Sequence, residues 1–285
     1  MIDGSGYVND LLRNKGIKLQ KSLGQNFLID KNISKKMIRL AGINSNSCVL
    51  EIGAGIGALT AQLCSVAKSV VSVELDIRLI PVLNEMLKQY DNIKIINDDI
   101  LKLDINKVIN ENFGNNECMV CANLPYNITT PVLSKLIDSF IFSEITVMIQ
   151  REVAKRIVAA PGSPDYGAFT VYANYNAVPE ILFDVPPECF LPKPKVCSSV
   201  IKIKLNEKKI PESDVEKVFF RIVRGAFRQR RKTLVNALYS EFNSELSKID
   251  IEKIIFECDL DVKIRGEVLS LDEFVPLAYV LHKRL

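Results

Sequence analysis

Chemistry in this chain concentrates at the tetrad Asn123-Leu124-Pro125-Tyr126. An exocyclic amine on a nucleobase, such as adenine N6, is a poor nucleophile because its lone pair is delocalised into the ring. An Asn side-chain oxygen and a neighbouring backbone carbonyl can accept its two hydrogens. That draws the nitrogen toward tetrahedral geometry and frees the lone pair for attack on a methyl group. Pro125 would stiffen the turn that presents the Leu124 carbonyl. Tyr126 would stack on the base, a contact of about 1–3 kcal/mol. No strong base is needed, since the methylated nitrogen can lose its proton to water, so catalysis would be positioning and polarisation. The single histidine, His282, lies near the C-terminus, which disfavours triad, zinc and histidine-base mechanisms.

A second constellation lies upstream. The run Glu51-Ile-Gly-Ala-Gly-Ile-Gly-Ala places Gly53, Gly55 and Gly57 between a strand-like segment and a helix-like one. Glycines there let the backbone turn tightly and approach a ligand. Glu74 ends the next strand-like segment, where a ribose-binding acid is expected. The loop also satisfies a dinucleotide-binding pattern, so a nicotinamide dehydrogenase stands as an alternative. The charges favour another cofactor. Glu51 lies just before the loop, Glu74 and Asp76 at the end of the second strand-like segment and Asp98 and Asp99 after the third, so all five would converge on one crevice. No Lys or Arg lies in the loop to meet a pyrophosphate. A sulfonium and an ammonium suit such a crevice, and S-adenosylmethionine carries both.

A third feature is basic. Between Arg221 and Lys232 there are six basic residues and no acidic one: Arg221, Arg224, Arg228, Arg230, Arg231 and Lys232. Arg221, Arg224, Arg228 and Arg231 follow helical spacing, with Phe227 and Leu234 among the apolar positions beside them. Such a stripe suits RNA phosphates, and Lys15, Lys18, Lys21, Lys193 and Lys195 would add to it.

The segments that must position these residues alternate in type. Short apolar runs at 48–52, 70–74, 93–96, 118–122 and 145–149 alternate with helix-like stretches at 58–66, 77–89, 130–140 and 151–159. That alternation implies an α/β fold with a mostly parallel sheet covered on both faces. Residues 170–177 and 198–205 read as two further strands, an antiparallel hairpin at one edge. Beyond Lys209 the composition turns helical. The expected organisation is a Rossmann-like catalytic domain over 1–207 and a small all-α, RNA-binding domain over 208–285.

Bulk composition is that of an ordinary folded chain: 285 residues, 48% hydrophobic and 25% charged, with a formal charge of only +3. The first residues do not read as a signal peptide, and no apolar run reaches the roughly 20 residues of a membrane span, so a cytoplasmic protein with no membrane association is expected. Seven irregularly spaced cysteines argue against a disulfide framework. Cys118 and Cys121 would face opposite sides of one strand, so no metal site is expected.

Taken together, N-L-P-Y-N, E-I-G-A-G-I-G, the early K-S-L-G-Q-N-F-L and the later F-L-P-K-P-K-V and F-R-Q-R-R-K-T-L resemble the ribosomal RNA adenine N6-dimethyltransferase family over nearly the whole chain. F-R-Q-R-R-K-T-L points to its bacterial small-subunit branch rather than to the 23S enzymes of macrolide resistance, which usually lack it. The resemblance implies a class I methyltransferase fold and dimethylation of two adjacent adenines near the 3′ end of 16S rRNA, in an immature small subunit, by a monomer. A mainly non-catalytic assembly factor is the other expectation. The resemblance further implies that Asn26 and Leu28 lie over the cofactor, Gly53 against its methionine part, Glu74 on its ribose and Asp99 on its adenine amine. Asn123 would touch both cofactor and target amine, while Tyr126 and Phe190 sandwich the flipped base. Cys197 departs from a common Asp, with no consequence attached.

Overall fold

The computed structural model describes residues 4–17, 24–207 and 209–285. They form two compact units. The first takes the chain through Ala154 together with Pro179–Leu205, and the second comprises Lys155–Val178 and Asn206–Leu285.

In the first unit, helix α1 (Gly4–Asn14) precedes a two-residue strand β1 (Phe27–Leu28) and helix α2 (Lys31–Ala41). Asp30 caps α2 by accepting from the Asn32 amide, and Gly42 ends it in the left-handed conformation at φ 78°. Alternating strands and helices follow: β2 (Cys48–Ile52), α3 (Ala58–Cys64), β3 (Ser69–Glu74), α4 (Ile80–Leu87), β4 (Ile93–Asn97), α5 (Ile105–Phe113), β5 (Cys118–Asn123), α6 (Thr129–Ser139) and β6 (Phe142–Gln150), and the boundary between the units falls within the next helix, α7 (Arg151–Ile157). Every residue of β2 is buried, as a strand sandwiched between helices requires. Cys118 and Cys121 are free and buried. Burial pushes both thiols far up, which makes them inert core residues.

The seven-stranded sheet has the order β4-β3-β2-β5-β6-β9-β7, with β7 Ala177–Val185 and β9 Ser198–Leu205. Neighbours from β4 to β6 run parallel, and β9 runs antiparallel to β6 with Ile201 opposite Val147. Strand order reverses between β2 and β5. That is the topological switch point, and a ligand crevice is expected beyond the carboxyl ends of those two strands. Gly53 follows one end and Asn123 closes the other.

The expected edge strand pair is present as β7 and β9, but its first strand is displaced along the chain. Residues 198–205 form β9, but the expected strand over 170–177 is largely helix α8 (Ala168–Asn176). Its aromatic and β-branched residues suit either state, and packing decides: Val171 and Tyr175 are buried in the core of the second unit. That unit also holds α9 (Ser213–Arg228), α10 (Leu234–Phe242), α11 (Lys248–Glu257) and α12 (Leu271–His282). The sequence reading leaves 155–178 in the first domain. In the structure this stretch belongs to the second unit, because its buried side chains pack on α9. The ring of Tyr175 stacks on Phe219 with centroids 4.6 Å apart. Gly266 fits tightly against α9, where an added Cβ would lie 2.5 Å from that of Ala226. No described helix is long and apolar enough to cross a membrane.

Candidate active site

A cleft of about 1110 Å³, open to solvent, lies at the switch point of the first unit. The glycine loop after β2 forms one wall. Gly53 and Gly55 have φ of 77° and 58°, conformations that only glycine adopts cheaply. A Cβ on Gly55 would stand 2.8 Å from the Phe27 ring, and one on Gly53 would touch Pro125 at 3.5 Å. The loop lies between β1 and the Asn-Leu-Pro turn: Gly55 is required both by its close approach to Phe27 and by its φ, and Gly53 by its φ.

Carboxylates hold this wall in place. Glu74 accepts from the Gly55 amide at 2.8 Å through one oxygen and from the Asp76 amide at 2.8 Å through the other. Each oxygen keeps a lone pair for a hydroxyl donor. Burial raises the Glu74 carboxyl above its ordinary range, against the pull of those amides. Glu51 is 1% exposed. One of its oxygens accepts from Thr60 and Ser72, each at 2.7 Å. Burial pushes its carboxyl up to about 7; the two hydroxyls lower it and Glu74 raises it further. Asp99 accepts from the Leu101 amide at 2.9 Å and Asp98 from the Asp99 amide at 2.7 Å, so the turn after β4 is fixed by its own side chains. Lys135 of α6 clamps the same loop by donating to the Leu101 and Leu103 carbonyls at 2.8 and 2.7 Å.

Asp76 differs from the acids expected to share the crevice. It pairs with Arg78 at 2.5 Å and accepts from Gln25 at 2.8 Å. The Arg78 guanidinium holds its carboxyl below the usual range, and it is not part of the lining. The other four, Glu51, Glu74, Asp98 and Asp99, do line the cleft, and no Lys, Arg or His lines it among the described residues. A pyrophosphate would meet four carboxylates and no cation. A ligand with cationic groups and hydroxyls meets acceptors.

The opposite wall is the Asn123–Tyr126 turn. Leu124 is 1% exposed and its amide donates to the Met148 carbonyl at 3.1 Å. The Asn123 amide nitrogen donates to the Asn26 carbonyl at 3.0 Å, which leaves its side-chain oxygen as the remaining acceptor. The Tyr126 hydroxyl and Ser198 share a hydrogen bond of 2.6 Å, and burial raises that phenol's pKa. Asn26 and Leu28 lie in the segment that closes the cleft. Gly24 presses on Asn127, where a Cβ would lie 2.6 Å from Oδ1.

The structure thus gathers Asn26, Leu28, Glu51, Gly53, Gly55, Glu74, Asp99, Asn123, Leu124, Pro125 and Tyr126 on one cleft. Phe190 is not there. It sits opposite Leu28 on strand β8 (Phe190–Leu191) and is 2% exposed within the apolar core, so the expected aromatic sandwich has only Tyr126 on the cleft. Sequence reasoning missed Thr60, Ser72, Gln25 and Lys135. Ser72 carried a signal, as the one polar residue in the buried run Val-Val-Ser-Val. Gln25 lay inside a motif already singled out.

With this geometry in hand, comparison is decisive: the profile described as ribosomal RNA adenine dimethylase matches residues 16–274. The chain belongs to this adenine dimethylase family. It is 44% identical over 267 residues to the ribosomal RNA small subunit methyltransferase A of Caldanaerobacter subterraneus subsp. tengcongensis, covering 93% of this chain and 98% of that one. Identity to the enzyme of the same name from Shouchella clausii is 45% over 279 residues, covering 97% and 94%. Among solved structures it is similar to a dimethyladenosine transferase from Plasmodium falciparum, with a TM-score of 0.75 and 25% identity over 90% of this chain and 97% of that one. The 23S rRNA methyltransferase ErmE shares the fold at a TM-score of 0.69 and 22% identity, covering 90% and 99%. Membership of the dimethylase family overturns the dehydrogenase alternative, in agreement with a cleft that no described Lys, Arg or His lines.

The basic segment of this dimethylase divides in two. Helix α9 stops at Arg228, so Arg231 lies in the connection to α10 and not on the helix face expected for it. Arg221 is half-buried. It pairs with Glu245 at 3.0 Å and lies over the Phe242 ring, 4.2 Å from its centroid. Arg230 pairs with Glu267 at 3.1 Å and reaches the Pro164 carbonyl. Arg224, Arg228, Arg231 and Lys232 are exposed, and none has an ion-pair partner among the described residues. Of the supplementary lysines, Lys15 pairs with Glu85 at 2.6 Å and Lys193 with Glu188. Lys195 is exposed. Lys18 and Lys21 lie outside the described residues.

Proposed function

We propose that this protein uses S-adenosylmethionine to dimethylate the N6 amines of two adjacent adenines near the 3′ end of 16S rRNA during small-subunit assembly in the cytoplasm. It would act as a monomer on an immature subunit. The observation that carries the reading is the meeting, in one cleft, of a cation-free acidic wall with a turn whose Asn123 is oriented by its own hydrogen bond. When bound, the cofactor supplies an electrophilic methyl group on a sulfonium. Glu51 and Glu74 fit its charge and its ribose hydroxyls, the glycines fit its close approach, and Asp99 fits its adenine amine.

Asn123 then acts through its side-chain oxygen. Its nitrogen is engaged by Asn26, so the oxygen accepts one hydrogen of the target amine, and the Leu124 carbonyl accepts the second. Tyr126 offers its ring face to the base while Ser198 fixes the ring's tilt. The flipped adenine costs least when it comes from a loop or a weak pair. Exposed cations at Arg224, Arg228, Arg231 and Lys232 hold RNA phosphates.

The test is methylation of 16S rRNA in immature subunits, with modified adenines mapped by mass spectrometry. Wild-type protein yields dimethyladenosine at adjacent positions. Asn123→Ala lowers turnover by about 10²–10³-fold, the scale of losing one positioned hydrogen bond in a transition state, while cofactor and RNA binding persist. Undiminished turnover in that variant overturns the assignment.

A further inference from the structure

Helix α2 carries Lys31, Lys35, Lys36 and Arg39 and no acidic residue, so it contributes +4 to a chain whose total formal charge is +3. Its buried face is ordinary: Met37, Ile38 and Ala41 pack in the core of the first unit. Its exposed face is not. Lys31 and Lys35, and Lys35 and Arg39, are spaced four apart, and Lys36 and Arg39 three apart. Like charges at those spacings each destabilise a helix by about 0.2–0.5 kcal/mol. Lys31 also sits in the first turn, where the helix dipole favours acids. An ordinary solvated face mixes signs and gains from the pairs; this one repels itself.

Lys35, Lys36 and Arg39 are exposed. Neither the Lys35 nor the Arg39 side chain has an ion-pair or hydrogen-bond partner among the described residues. The Lys36 ammonium rests over the Phe183 ring, 4.0 Å from its centroid, which steadies it without neutralising it. The helix begins three residues after Leu28, which lines the cleft, and its charged side lies on the same unit as the reacting groups.

We propose that the exposed face of α2 is a second RNA-docking surface, gripping the phosphates that flank the target adenine through Lys35, Lys36 and Arg39. This inference rests on the RNA-methylating reading above. The charge explains the choice of partner: a polyanion recovers the cost of three unpaired like charges on one face by releasing its counterions to them.

The test uses full-length protein and immature small ribosomal subunits, with affinity measured over a salt series. For the double variant Lys35→Gln/Arg39→Gln, the slope of log affinity against log salt becomes shallower by about 1.5. The RNA KM rises roughly tenfold, while kcat and S-adenosylmethionine affinity stay within about twofold of wild type. The charge-preserving Lys35→Arg/Arg39→Lys restores the slope. Lys88→Gln/Lys94→Gln, an equal loss of charge at exposed positions elsewhere on the unit, leaves it unchanged. An unaltered slope in the α2 variant, or an equal loss in the control, overturns the inference while wild-type methylation leaves the function standing. A wild-type protein that neither binds nor methylates immature subunits overturns the function itself.

Discussion

The acidic cleft of the first unit and the basic segment of the second use charge in opposite ways. In the cleft nearly every carboxylate is committed to the protein's own backbone or hydroxyls: Glu74 to Gly55 and Asp76, Glu51 to Thr60 and Ser72, Asp99 to Leu101. These bonds fix the wall before a ligand arrives, which is what catalysis by positioning requires. In the basic segment only Arg221 and Arg230 are committed in that manner. The other four cations remain exposed, as suits a partner whose phosphates are spread along a mobile chain. Recognition of a small rigid ligand calls for preorganisation, and recognition of a polymer calls for accessible charge.

The largest expected effect separates core from cleft within the first unit. Phe190 is 2% exposed, so Phe190→Ala should destabilise the protein by about 3–5 kcal/mol, the usual cost of emptying a buried phenylalanine site, seen as a lower denaturation midpoint. Tyr126→Ala, on the cleft, should instead abolish most methyl transfer with a much smaller change in midpoint. If Phe190→Ala leaves the midpoint unchanged and removes only activity, the phenylalanine stacks on substrate and the core placement is wrong.

Glu51 gives a pH signature. Its folded pKa of about 7 lies above the unfolded value of 4.5, so its contribution to stability is fully present below about 4.5 and is lost as pH rises to 7, by roughly 3 kcal/mol. Cofactor binding has the opposite sign, because a cation prefers the ionised carboxylate. S-adenosylmethionine affinity should rise about tenfold from pH 6 to pH 8, with proton release detectable by calorimetry in buffers of different ionisation enthalpy. Glu51→Gln should flatten both profiles. An affinity independent of pH in the wild type would remove Glu51 from contact with the cofactor's charge.

How much of this was legible in the sequence depends on whether a residue acts through local or distant neighbours. The strand-loop-helix order, the glycine loop and the Asn123–Tyr126 turn are local patterns, and the switch point then brings them together without further information. The helix over 168–176 was not legible, because Val171 and Tyr175 are strand formers whose conformation is decided by packing in the second unit. The place of Phe190 was not legible either: its motif names the residue, but only the packing shows it buried in the apolar core and absent from the cleft lining. Asp76 counted as a cleft acid until its pairing with Gln25, 51 residues earlier in the chain, and Arg78 became visible.

Among the arginines the effects should be smallest and most diagnostic. Arg221 is held by Glu245 and the Phe242 ring, a partly exposed arrangement, so Arg221→Gln should cost about 1 kcal/mol of stability and leave the salt dependence of RNA binding nearly unaltered. Arg228→Gln/Arg231→Gln should do the reverse. Stability should stay within about 0.5 kcal/mol of wild type, as for other exposed substitutions, while the salt slope falls by about 1.5. The two readouts cross only if the committed and exposed cations have distinct jobs. Equal loss of slope from Arg221→Gln would mean that the Glu245 pair opens to release Arg221 to the RNA, and the boundary between committed and available charge would then be set by the ligand rather than by the fold.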